Sequence, residues 1–294
     1  MLKVNDLVKY YGKNIGIEGL SFNLSKGEIL GIIGTNGSGK TTTFRLLLRL
    51  LLPDKGTITL NDHDLEDLDN KTFGYLPEER SVYRDLKVAE QISFLAKLKQ
   101  INDNEITERL SFWLNRLEID EYRNRKIKEL SKGNQQKVQL ICALIHDPLI
   151  VILDEPLTGL DIINVRLFKK IINELKQAGK MVMISSHQYE YIEEFCEKII
   201  LLKKGKVNYY GSVSDIKQLI AVRYITLVTY FKKDYLLCDG VIHQEDSGNM
   251  IRLELENEIK AKKLFKQLLK DKEIVSLKLE LPTLGDVIDK GFLL

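Results

Sequence analysis

Apolar positions recur along this chain in three different rhythms, each marking a different kind of structure. Short β-like runs occupy the first sixty residues, for example 2–8 and 57–60, with turns at Lys26-Gly27 and Asp54-Lys55-Gly56. They predict an antiparallel sheet. From about residue 86 to 146 the spacing becomes helical, with Val88, Ile92, Leu95 and Leu98, then Leu110, Trp113, Leu114 and Leu117 on repeating faces. This stretch predicts a helical insertion. Beyond Leu149 apolar runs at 149–153, 181–185 and 199–202 alternate with helical patterns over 165–177 and 188–196, an order that predicts a parallel core sheet. The helical stretch that follows Ile33 predicts a helix over 43–51. After Gly211 the pattern resets to strands at 224–230, 250–256 and 275–281 and a helix near 259–269. The chain therefore divides into a main α/β domain over 1–211 and a small α+β domain over 212–294.

Composition narrows the class. The 294 residues are 44% hydrophobic and 29% charged, a globular balance that excludes a disordered chain, a collagen-like repeat and a coiled-coil rod. Lys and Arg number 44 against 42 Asp and Glu, a net charge of +2, so nothing selects a polyanion and no nucleic-acid partner is expected. Cys142, Cys196 and Cys238 lie far apart with no C-x-x-C, which argues against a disulfide framework or zinc site and for a reducing cytoplasm. The N-terminal residues carry no apolar core of signal-peptide length. The apolar stretch 44–52 is interrupted by Arg45 and Arg49 and stopped by Pro53, too short for a membrane span.

Four elements carry chemistry. The apolar strand 29–33 leads into Gly34-Thr35-Asn36-Gly37-Ser38-Gly39-Lys40-Thr41-Thr42 and a helix, which is G-x-x-x-x-G-K-T in its strand–loop–helix context. Backbone N–H groups in such a loop point at the β-phosphate, and the helix N-terminus adds partial positive charge. Lys40 brings a point charge to the β- and γ-phosphates, and the Thr41 hydroxyl suits Mg²⁺. Next, the apolar run 149–153 ends in Asp154-Glu155. Asp154 is the candidate for holding Mg²⁺ through water and Glu155 for orienting or deprotonating the attacking water; the plainer reading is that both acids cap the turn at Pro156. A third apolar run ends in Ser185-Ser186-His187, which brings His187 to a neighbouring strand end. The fourth, Leu130-Ser131-Lys132-Gly133-Asn134 ahead of a helix, reads in isolation as a cap by Ser131 or Asn134. A guanine-reading N-K-x-D is absent, since Asn70-Lys71 is followed by Thr72-Phe73.

In this order the four elements resemble the nucleotide-binding subunits of ABC transporters, over about residues 2–211. The family's signature LSGGQ stands here as Leu130-Ser131-Lys132-Gly133-Asn134. The resemblance implies an ABC-type P-loop NTPase fold with an antiparallel β subdomain, ATP and Mg²⁺ as cofactors, and a separate transmembrane permease under which the subunit docks at the cytoplasmic face of the membrane. It also implies that adenine stacks on Tyr11, with Tyr10 a close competitor. Glu78, in Gly74-Tyr75-Leu76-Pro77-Glu78, occupies the place of the glutamine that contacts Mg²⁺. Leu157-Thr158-Gly159-Leu160-Asp161 resembles the D-loop, which runs along the partner subunit. Leu76-Pro77-Glu78-Glu79-Arg80 together with residues 131–134 is similar to the sodium-export and ABC-2 branch, which implies export and a C-terminal accessory domain. In the family two subunits pair head to tail, so that Ser131 and Gly133 of one close over the ATP held by Lys40 of the other. The second subunit is either another copy of this chain or a different ATPase. Two other classes compete. A soluble ABC factor acting on ribosomes or DNA would carry two cassettes or a coiled-coil insertion, and a non-hydrolysing regulator would lose Glu155 or His187; the chain shows none of these features.

Overall fold

The computed structural model describes residues 1–79, 81–231 and 233–290, and the chain divides into two units, Met1–Tyr210 and a second that begins at Gly211. In chain order the first comprises β1 (Leu2–Tyr11), β2 (Asn14–Leu24), β3 (Ile29–Ile33), α1 (Lys40–Leu47), β4 (Lys55–Leu60), β5 (His63–Asp64) and β6 (Phe73–Leu76). There follow α2 (Val88–Leu98), α3 (Asp103–Arg116), α4 (Lys132–Leu144), β7 (Ile150–Asp154), α5 (Ile162–Gln177), β8 (Met181–Ser185), α6 (Tyr189–Phe195), β9 (Lys198–Lys203) and β10 (Lys206–Ser212), the last running across the boundary.

Among the described residues these strands form one continuous sheet in the order β5-β4-β1-β2-β10-β9-β3-β8-β7-β6. β1 pairs antiparallel with β2 and β4, whereas β3, β6, β7, β8 and β9 are joined by parallel ladders. Every residue of β3, β7 and β8 is buried, which is why these strands read as unbroken apolar runs rather than alternations. The core joins both halves of the sheet: Leu2, Leu20 and Phe22 pack in one cluster with Leu30, Phe44, Ile150 and Met183. The helical segment 86–146 forms α2, α3 and α4, and α4 lies against β6.

Three expectations need correction. The helix placed at 43–51 begins at Lys40 and ends at Leu47, because Arg49 enters the left-handed region at φ 58° and breaks the ladder ahead of Pro53. Lys40 and Thr41 therefore belong to the first helical turn. β10 and, in the second unit, the strand Val241–Ser247 carry no clean alternation and were not expected. The strand Val241–Ser247 is mostly exposed, and β10 buries no residue fully, its alternate positions only half-covered, with Val207 against the core.

The second unit contains α7 (Val213–Gln218), β11 (Arg223–Thr229), β12 (Val241–Ser247), β13 (Met250–Leu255), α8 (Glu258–Leu268), β14 (Ile274–Glu280) and α9 (Leu284–Asp289). Its sheet has the order β12-β13-β11-β14 and is antiparallel. Ala261, Leu264 and Leu268 of α8 cover one face by packing on Ile225, Leu227, Leu253 and Leu255. On the alternate positions the Arg252 guanidinium lies 3.9 Å from the Tyr224 ring centroid and 2.6 Å from Asp286 on α9.

Candidate functional site

The loop between β3 and α1 is a tight turn that delivers Lys40 to the C-terminal edge of the parallel strands. Gly39 has φ 111°, and a Cβ there would stand 2.6 Å from the Gly16 carbonyl, so no other residue fits. Lys40 is only 8% exposed, and its Nζ donates to the carbonyls of Gly34 at 2.6 Å and Thr35 at 3.3 Å. Burial lowers its pKa, and the carboxylates of Glu155, Asp154 and Glu78 act in the opposite direction. A cleft of about 440 Å³ opens here, lined by Tyr11, Ile15, Gly16, Asn36, Gly37, Ser38, Gly39, Lys40, Thr41, Thr42 and Glu78. The fold thus brings Tyr11 and Glu78, far apart in sequence, to the same cleft. Tyr11 packs its ring on Gly16, where a Cβ would come within 2.7 Å of Tyr11 Cε2. Tyr10 is committed elsewhere: its hydroxyl donates to Glu18 at 2.7 Å.

The two acids stand on the adjoining strand end. Parallel register sets Asp154 opposite Ser185, and Ile32 opposite Ser185 on the other side. Ser185 Oγ donates to Asp154 Oδ1 and accepts from the Glu155 N–H at 3.0 Å. Burial raises the Asp154 pKa, Ser185 opposes that, and the charges of Glu78 and Glu155 add to the rise. Glu155 adopts φ 51°, a left-handed backbone costing about 1 kcal/mol or more in a non-glycine residue. Its Oε2 accepts from Thr158 Oγ1 at 2.9 Å. Its Oε1 is buried without a hydrogen bond among the described residues, although His187 Nε2 lies 3.4 Å away. Ser185 and Thr158 were not singled out in the sequence. Thr158 sits three residues after Glu155, a signal that local reading could use, whereas Ser185 meets Asp154 only through strand register.

Residues 131–134 do not line that cleft. Ser131 caps α4, its Oγ accepting from the Asn134 N–H at 3.3 Å, and both Ser131 and Lys132 are exposed. Gly133 faces the start of α5, where a Cβ would come within 2.8 Å of Asn164 Nδ2. Asp161 caps α5 by accepting from Asn164 N and from Asn164 Nδ2, both at 2.9 Å. The fold therefore joins the 131–134 loop to Asp161 and keeps both apart from the cleft of Lys40. Arg80, the last residue of the 76–80 segment, lies outside the described residues.

Residues 17–158 match the family model described as ABC transporter, and residues 211–287 match that of the C-terminal domain of DrrA1-3-like ATP-binding proteins. The chain is 43% identical over 256 residues to an uncharacterized ABC transporter ATP-binding protein of Methanocaldococcus jannaschii, covering 86% of this chain and 94% of that one. The chain belongs to the ATP-binding subunits of ABC transporters. This ABC subunit is an ATPase. It is also 36% identical over 288 residues to the uncharacterized ABC transporter ATP-binding protein YhaQ of Bacillus subtilis, covering 98% of this chain and 97% of that one. A solved dimeric bacterial ABC transporter cassette superimposes with TM-score 0.65 and 25% identity, over 72% of this chain and 98% of the cassette. Among the described residues of this ABC subunit, no helix is long and apolar enough to cross a membrane.

Proposed function

We propose that this ABC ATPase binds ATP in the cleft of Tyr11, residues 34–42 and Glu78, hydrolyses it with Glu155 and His187, and drives export through a separate permease. The convergence of Lys40, Asp154, Glu155 and His187 on one edge of the parallel sheet carries the reading, since open parallel sheets bind ligands there. The Tyr11 ring offers adenine a stacking face, and Gly34, Thr35, Asn36, Gly37, Ser38, Gly39 and Thr42 contribute the phosphate cradle. Lys40, held by carbonyls of its own loop, exchanges those acceptors for phosphate oxygens. Glu155 Oε1, which no hydrogen bond engages among the described residues, is the acceptor for a proton of the attacking water, Thr158 holds the carboxylate through Oε2, and His187, 3.4 Å from Oε1, faces the same space.

Mg²⁺ fits this donor set. The oxygen groups of Thr41, Glu78 and Asp154 are of the right hardness, and Asp154, whose pKa is raised first by burial and then by the charges of Glu78 and Glu155, is a buried carboxylate whose ionised form a cation would favour. Among the described residues no three His, Cys, Asp or Glu side chains form a metal cluster, so Thr41, Glu78 and Asp154 would hold the ion together with the bound nucleotide. The ion supplies charge neutralisation at the β- and γ-phosphates.

Ser131, Lys132, Gly133 and Asn134 act on the ATP of a second subunit, taken to be another copy of this chain. Their exposure, the distance of the loop from the Lys40 cleft, and exposed Ile162 (73%) and Ile163 (74%) directly after Asp161 support a head-to-tail pair closed by ATP and reopened by hydrolysis. A groove of about 360 Å³ in which Leu48, Leu50, Phe73, Leu95 and Leu98 stand beside Arg49, Gln91 and Lys99 offers a mixed apolar and basic seat to a permease, which would hold the subunit at the cytoplasmic face of the membrane. Export follows from the resemblance of the sequence segments 76–80 and 131–134 to the exporting branch. The decisive test is sedimentation of Glu155→Gln with and without Mg²⁺-ATP. A dimer only with nucleotide is expected, together with turnover lowered by roughly 10²-fold. A monomer under both conditions removes self-pairing, and unchanged turnover removes Glu155 as the base.

A further inference from the structure

We propose that β14 of the second unit is a self-pairing edge, to which a second copy of this chain adds its own β14, antiparallel about Leu279. β14 ends the sheet order β12-β13-β11-β14 and pairs with β11 from Ile274 to Glu280. Alternate N–H and C=O groups on its outer side therefore have no strand partner among the described residues, which makes them a template for an added strand. The two edges of this sheet differ in protection. At β12 a register shift between Val241 and His243 interrupts the ladder, and Glu245 stands next to Asp246, so self-pairing there sets acid beside acid. β14 runs seven residues without Gly or Pro, and its Val275 is 63% exposed.

The side chains of β14 select a copy of itself. Residues 277–281 read Leu-Lys-Leu-Glu-Leu, a pattern that is its own complement when run antiparallel. A two-fold axis at Leu279 sets Lys278 of each chain opposite Glu280 of the other, with Leu277 opposite Leu281 and Leu279 opposite itself. Opposite charges directly across a strand pair attract, and like charges repel. Moving the axis to Lys278 or Glu280 puts like charges face to face, and moving it to Leu277 leaves Lys278 opposite Ser276 and Glu280 opposite Ile274. Lys278 and Glu280 are both exposed and share the face away from Leu277 and Leu279, which pack on the core that α8 covers. Lys278 makes no ion pair among the described residues. Thr226 Oγ1 donates to Glu280 Oε2 at 2.7 Å, which orients that carboxylate and leaves its other oxygen to the lysine. Five residue pairs bury far less than a standard interface, so the contact is weak and forms at high protein concentration.

This pairing is independent of the ATP-closed pair, and its test contains no nucleotide. In sedimentation of the full chain at about 150 mM salt, where unspecific charge attraction is screened, a dimer with a Kd on the order of 10⁻⁴ M is expected. At micromolar concentration the chain is then monomeric without nucleotide, so the two pairings are read apart. Lys278→Glu and Glu280→Lys should each weaken the dimer about tenfold or more, because both cross-strand pairs become repulsive. Mixed in equal amounts, the two variants should associate within about threefold of the wild-type strength, since each supplies the charges that the other lacks. The chain carrying both changes should also dimerise like the wild type. A wild-type chain that stays monomeric up to about 1 mM, single variants that dimerise as well as the wild type, or a mixture no stronger than its components would each overturn the proposal.

Discussion

At the scale of single residues, burial decides which charges this protein can hold. His146 is 7% exposed and hydrogen-bonds the Phe73 carbonyl through Nε2 at 2.9 Å. Burial, with a smaller contribution from the Lys99 and Arg109 cations, pushes its pKa down from 6.5 to about 4. The unfolded chain takes up this proton below about pH 6.5 and the folded chain only near pH 4, so stability is undiminished above 6.5 and falls as the pH drops between the two values. The loss should approach about 3 kcal/mol by pH 4, read by urea unfolding across that range. His146→Gln, which can still donate to the Phe73 carbonyl, should flatten this part of the profile; an unchanged slope would show that the carboxylates alone account for it. Lys40 presents the opposite case. Its buried ammonium already rests on two carbonyls, and Lys40→Ala should weaken ATP binding itself, measured by equilibrium titration, rather than only turnover.

At the scale of elements, α4 and α5 begin against each other. Each is capped by its own side chain, Ser131 and Asp161, and Gly133 is small enough to let Asn164 approach. Ser131→Arg places bulk and charge at the exposed start of α4. In sedimentation of the Glu155→Gln background, this change should abolish the ATP-induced dimer while leaving nucleotide affinity unchanged. Loss of both together would mean that Ser131 serves only as a cap, worth about 1 kcal/mol of local stability. Helix α1 makes a related point. Its apolar period announced a helix, but its start at Lys40 follows from the left-handed Gly39, which periodicity does not register.

At the scale of the whole molecule, the residues proposed for phosphate chemistry all lie in the first unit, whose core joins the antiparallel and parallel halves of one sheet. The second unit has its own cluster around Ile225, Leu227, Leu253 and Leu264. A chain ended after Tyr210 should therefore fold and bind ATP, checked by a cooperative melt and nucleotide titration. A monodisperse truncated protein that fails to bind ATP would show that the second unit contributes to the site.

Much of this was legible in the chain itself. The fully buried strands β3, β7 and β8 announced themselves as continuous apolar runs, because both faces of a central parallel strand are covered. Gly34 to Thr42, Asp154, Glu155 and His187 could be named as candidates because each lies at the end of such a run, where local pattern and chemistry coincide, whereas Ser131 and Asp161 stood out only through the family resemblance. Other features required the tertiary structure. That the Tyr11 ring reaches Gly16 and the Lys40 cleft, while the Tyr10 hydroxyl is held by Glu18, is visible only in the fold. Strand register brought Ser185 to Asp154, and the approach of Asn164 to Gly133 set the start of α5 beside the start of α4. Strand β12, mostly exposed, and strand β10, only half-covered on its alternate positions, bury too little to leave a strong periodic trace. Hydrophobic period reports only what a segment buries, whereas a site is made by segments that meet across the sheet, and their meeting is decided by pairing and packing.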